Sequence, residues 1–217
     1  MSGEAVRTRL PVPGLESAKR TRVDEPHVAP LNELVRRWRE PAGRPSRAVP
    51  WFDPDGGGVG ARVLLLMESP GPRTVAAGDL GFSSEDNEDP TSRRLRRLRA
   101  ESGLRRLDHV RWNVVPWALR ASDVRRRGPT VVDLEEARPA LDELLRALPH
   151  LAVVVTFGSA ALEGWMRLLT LSGGHETLLP TLAVPHPSPA NGHRRAEAED
   201  RTRRALRRAA AYVMPSS

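Results

Sequence analysis

Val63 to Met67 reads Val-Leu-Leu-Leu-Met, five consecutive apolar residues with no polar face. A strand with that pattern has to be covered on both sides, which an antiparallel sheet with one wet face does not provide. Three further runs follow it: His109 to Val115, Leu151 to Phe157, and Thr181 to Val184. Between and around them the apolar period changes to that of helices. Leu31, Leu34, Val35 and Trp38 mark a helix over Leu31 to Glu40, closed by Pro41. Thr91 to Ala100, Leu134 to Leu148, Ser159 to Leu169 and Ala196 to Val213 give four more. Buried strands alternating with helices predict an α/β fold. We expect a three-layer αβα sandwich around a short, mainly parallel central sheet of about four strands. Residues 1–28 are rich in Pro, Arg and small polar residues and carry no apolar period, so they read as a flexible basic N-terminal tail. Residues 29–217 read as a single domain.

The formal net charge is +7, nearly all of it arginine, and Lys19 is the only lysine. Such a balance favours polyanionic partners, because phosphates gain from Arg contacts and counterion release. The chain has no cysteine, which excludes disulfides, zinc–thiolate sites and iron–sulfur clusters. No His-Glu-x-x-His, close His/Asp cluster or Walker-type loop is present, so neither a metal nor any other cofactor is expected. No apolar run approaches the ~20 residues that span a bilayer, and Met1 to Leu10 lacks a signal-peptide core. A soluble, cytoplasmic, monomeric protein is the expectation.

In a parallel sheet the ligand sits beyond the carboxyl ends of the strands, so the residues that follow each strand matter most. After the first comes Glu68-Ser69-Pro70-Gly71, where Pro70 stiffens a turn and Gly71 lets backbone approach a ligand. After the fourth comes His186-Pro187-Ser188-Pro189, an imidazole held between prolines. Asn113 interrupts an apolar strand; a buried amide either satisfies backbone groups or presents its carbonyl and NH2 to a ligand. Phe82, on a segment near the first strand, either stacks on a base or plugs the core.

These pieces resemble the motifs of the uracil-DNA glycosylase superfamily. Glu68, Pro70 and Gly71 match the Gly-Glu-Ala-Pro-Gly form of its first motif, from which Met67 and Ser69 depart. His186-Pro187-Ser188-Pro189 matches the His-Pro-Ser-Pro of the second motif. Arg111 to Val115 is similar to the strand with the base-reading Asn, and Gly81-Phe82 to the segment with the stacking Phe. Relatives with this first motif usually carry a four-Cys cluster, so the chain is identified as a divergent branch without it. The resemblance implies a monofunctional glycosylase of base excision repair that removes uracil or a related deaminated base from DNA. Glu68 would position water or stabilise the sugar cation. Neutral His186 would donate to the departing base, Asn113 would read its edge, and Phe82 would stack on it. Ser69 and Gly71 would line the pocket. Ser188, Asn191, Arg194 and Arg195 would hold DNA. Ala190 stands where relatives often carry a bulky wedge, which implies either that duplex is a poorer substrate than single strands or that another residue serves as wedge.

Two other readings compete. A DNA-binding module of the same fold would hold, or covalently trap through His186, a flipped base without turnover. A serine hydrolase using Ser69 would need a backbone N–H from the next residue for its oxyanion hole; that residue is Pro70, which has none.

Overall fold

The run Val63 to Met67 forms the centre of a parallel sheet. Leu64 and Leu66 point into one core, and Val63, Leu65 and Met67 into a second core on the other side. The computed structural model describes residues 14–43, 46–119, 128–171, 178–187 and 195–214. In chain order the elements are α1 (Leu15–Arg20), α2 (Ala29–Arg39), β1 (Trp51–Phe52), β2 (Val63–Met67), α3 (Pro72–Ala76), β3 (Phe82–Ser83), α4 (Pro90–Ser102), β4 (His109–Asn113), α5 (Val131–Arg146), β5 (Val153–Phe157), α6 (Ser159–Leu171), β6 (Thr181–Val184) and α7 (Arg195–Val213). The main sheet has the order β4-β2-β5-β6, all parallel. Helices α2, α5 and α6 cover one face; α4 and α7 cover the other. The α/β sandwich read from the sequence is therefore the fold. A second sheet, β1 with β3, is only two residues deep.

Local chemistry places the elements that bear on the site. Asp89 caps α4, accepting hydrogen bonds from the Ser92 amide at 2.9 Å and the Ser92 hydroxyl at 2.7 Å. Pro90 at the first helical position fits, because that amide would have no helical partner. Strand β4 stops at Asn113, short of the Val115 read from the sequence, because the chain bends ahead of Pro116. The Val114 and Val115 amides still bond to the carbonyls of Met67 and Glu68, so the end of β4 stays tied to the turn after β2.

The sequence reading of residues 1–28 as a flexible tail fails from Gly14 onward. Val23 and Val28 are buried in the core. Asn32 fixes this segment, donating to the Val23 carbonyl and accepting from the Phe52 amide, both at 2.9 Å. Lys19 is buried, its Nζ 2.7 Å from Asp53 and 2.8 Å from Asp86. Lys19, Arg20 and Arg22 all meet carboxylates within the chain. Residues 1–13 lie outside the described residues. Among those described, no helix is long and apolar enough to cross a membrane.

Candidate functional site

The chain leaves β2 for β4 on one side and returns to β5 on the other, so the order of strands reverses around β2. Ligands of open α/β sheets bind at such a switch point, outside the carboxyl ends. A hollow of about 100 Å³ lies there. Ser69, Pro70 and Gly71 line it from the turn after β2; Phe82 and Ser83 come from β3, Arg111 and Asn113 from β4, and His186 from the segment after β6. Asn87, Asp89 and Thr91, around the start of α4, complete that side.

Asn113 is 6% exposed, and its carboxamide makes no hydrogen bond to any described residue. Its amide atoms are not sealed from solvent; they stand open to whatever enters the hollow. Of the two roles open to Asn113 in the sequence, the structure thus leaves no internal backbone partner among the described residues and gives it a pocket wall. Phe82 is only 2% exposed and packs in the core while also lining the hollow. It sits in a strand, not in a loop. Its carbonyl accepts from Asn87 Nδ2 at 2.9 Å, and Trp51 pairs with it across the small sheet.

His186 is enclosed enough that burial pushes its imidazole down to about 4, aided by the positive charge of Arg111 and opposed by Asp89. It is neutral at physiological pH. The neighbouring Pro187 carbonyl accepts from Arg94 of α4 at 2.6 Å, which ties the segment down.

Glu68 does not line the hollow. Its carboxylate accepts the backbone N–H of Ala160 at the start of α6, while burial raises its pKa. It lies against Gly158, whose φ is +92°. A Cβ on Gly158 would come within 2.3 Å of Glu68 Oε1 and 3.2 Å of the His186 Cβ. Glycine thus lets the turns after β2, β5 and β6 converge. Arg195 opens α7, while Ser188, Ala190, Asn191 and Arg194 lie outside the described residues.

The sequence reading did not single out Arg111, Asp89 or Asn87. Arg111 was detectable as a charge inside an apolar strand, two residues from Asn113 and hence on the same face. Asp89-Pro90-Thr91-Ser92 has the look of a helix start, but nothing local aims it at a ligand. A carboxylate trio, Asp53, Asp55 and Asp86, is close enough to suggest a cation site. Lys19 bridges all three carboxylates, and Arg106 also pairs with each of them. The trio serves the fold.

Residues 54–210 match the family model of the uracil DNA glycosylase superfamily. The chain belongs to that superfamily. The matched span runs from before β2 into α7 and holds every pocket-lining residue named above. No curated protein sequence matches the chain. Membership in the uracil DNA glycosylase superfamily supports a glycosylase-like hydrolase acting on DNA. It also agrees with the absence of cysteine: this member has no ligands for a thiolate-held cluster.

Proposed function

We propose that this chain is a monofunctional DNA glycosylase that removes uracil or a related deaminated base, acting as a monomer in the cytoplasm. One observation carries the reading: the amide of Asn113, with no hydrogen-bond partner among the described residues, shares a hollow with neutral His186 and Phe82, three residues from distant parts of the chain. A base hidden in duplex must be extruded to reach such a hollow, at a cost of a few kcal/mol. A base already in a single strand avoids most of that cost.

In the proposed reaction the bond between the sugar C1′ and the base nitrogen breaks, and its electron pair stays on the nitrogen. Positive charge grows on the sugar and negative charge on the base. His186, a donor without a charge of its own, hydrogen-bonds a carbonyl oxygen of the departing base. Asn113 reads the base edge and Phe82 packs against it. Water gives its oxygen to C1′ and loses a proton, and the base leaves as an anion that is then protonated. Glu68 is the carboxylate assigned to orient that water. It is half-buried, held by the Ala160 amide, and next to the backbone that carries His186. Strand cleavage by β-elimination would call for an amine. The one lysine side chain, Lys19, is enclosed by carboxylates, which supports release of the base alone.

A second reading, a module that holds a flipped base without turnover, draws on two observations. Ser69 supplies only a hydroxyl to the hollow, and Glu68 does not line it. One assay separates the two. The protein is incubated with single- and double-stranded oligonucleotides bearing uracil, hypoxanthine or xanthine, then treated with alkali. Cleavage at the lesion supports the glycosylase; binding of the lesion strand with no alkali-labile site supports the module.

A further inference from the structure

Arg111 is a partly buried arginine on an otherwise buried strand, with no salt bridge among the described residues. Its Nη1 donates to the Ser84 carbonyl at 2.9 Å and to the Ser92 hydroxyl at 2.8 Å. Ser92 is itself fixed by the Asp89 carboxylate. Nε and Nη2 have no hydrogen-bond partner among the described residues, and the side chain lines the hollow beside Asn113. A guanidinium stays protonated and has five donors and no acceptor. Asn113, by contrast, offers both an acceptor and a donor, and turning its amide exchanges them.

Resting on the glycosylase reading, we infer that Arg111 is a specificity-determining residue: a donor-only group that admits bases presenting carbonyl oxygens and rejects those presenting amino groups. Deamination makes that very change, replacing an exocyclic NH2 by C=O. An amino group facing the guanidinium sets donor against donor, leaves both unsatisfied, and brings no compensating contact. One unsatisfied buried polar group costs about 1–3 kcal/mol, which corresponds to about 5- to 150-fold in affinity. The anchors on Ser84 and Ser92 keep the guanidinium from swinging aside to accommodate the wrong base.

The test compares free uracil with free cytosine, and hypoxanthine with adenine, by NMR titration of the full chain. The same comparison is then made for Arg111→Gln, which restores an acceptor, and Arg111→Lys, which does not. Thermal melts check that each variant folds. The wild type should prefer the oxo base by about tenfold or more; Arg111→Lys should keep most of that preference, and Arg111→Gln should lose it. An equal preference in wild type and a folded Arg111→Gln overturns the inference, as does failure of the wild type to bind either base of a pair. Should Arg111→Gln not fold, loss of the preference in Arg111→Lys overturns it instead. Because binding is read without turnover, a wild type that discriminates but excises nothing defeats the glycosylase reading and leaves this one standing.

Discussion

In the proposed reaction, His186 and Asn113 divide the work of the pocket by their chemistry. A neutral imidazole is a donor whose strength rises as charge grows on the base, so its removal should act on kcat. His186→Gln is expected to lower kcat by about 100-fold or more with little change in fold. Asn113→Ala removes an amide with no internal partner among the described residues, so excision should fall by a similar factor while the melting temperature holds or rises. Single-turnover excision beside a thermal melt checks both; a large drop in melting temperature for Asn113→Ala would mean the amide serves the fold. Gly158→Ala tests the convergence of the turns. The new Cβ meets Glu68 Oε1 at 2.3 Å, and an L residue at this φ is strained by about 1–3 kcal/mol. Excision and stability should both fall, and Glu68→Ala in the same chain should restore part of the stability by relieving the clash. Additive losses in that double variant would place the strain elsewhere. The sequence singled out His186, Asn113, Ser69 and Gly71 because each stands at or near the end of an apolar run, and Phe82 only as an aromatic on a segment near the first strand. It did not reveal that Glu68 turns towards α6 or that Arg111 reaches the hollow, since both depend on partners remote in the chain.

Elements with their own periodicity were legible, and those held only by remote partners were not. Strands β2 and β6 begin and end where their apolar runs do, and α2, α4, α5, α6 and α7 lie within a few residues of their helical patterns. The two-residue strands β1 and β3 have no period to read; they exist because the Trp51 amide finds the Gly81 carbonyl at 2.8 Å and the Phe82 ring needs cover. Helix α1 is similar. Its six residues would not hold a helix in water, and its anchor is a lysine that meets acids 34 and 67 positions away. That anchor is a cation among several buried charges. Lys19→Met should therefore lose about 3 kcal/mol, because Asp53 and Asp86 remain shielded from water with less positive charge beside them. Denaturant unfolding measures it, and Asp86→Asn in the same chain should recover part of the loss. A change below about 0.5 kcal/mol would return α1 to the tail that the sequence suggested.

At the scale of the whole molecule, the positive charge that favours a DNA partner is partly spent inside the protein. Arg97 meets Glu101 and Glu199, Arg94 meets Glu199, and Arg203 meets Glu101, which stitches α4 to α7. What acid does to this arrangement can be worked out from two imidazoles at opposite ends of β4. His109 opens the strand, 5% exposed, and its Nδ1–H donates to the Arg105 carbonyl at 3.2 Å; burial pushes it down to about 4. His186 lies at the carboxyl end, also lowered to about 4, with Arg111 on β4 and Asp89 before α4 as its charged neighbours. Both are neutral when folded and titrate near 6.5 when unfolded. Between those limits the unfolded chain binds more protons, so stability must rise with pH from about 4 to about 6.5 and level off above. For His109 the loss at pH 4 is roughly 3 kcal/mol, and for the more exposed His186 it is less. Carboxylates held low by arginine, among them Asp55, Asp79 and Asp108, act in the same direction at lower pH still. Melting temperature followed from pH 8 to pH 4 should therefore be flat and then fall. His109→Gln and His186→Gln should each remove part of the slope between pH 4 and about 6.5. Excision should need no protonated imidazole: its rate should show no histidine limb between pH 5 and 8, and a rate that climbs on acidification through that range would mean His186 works as a charged acid instead.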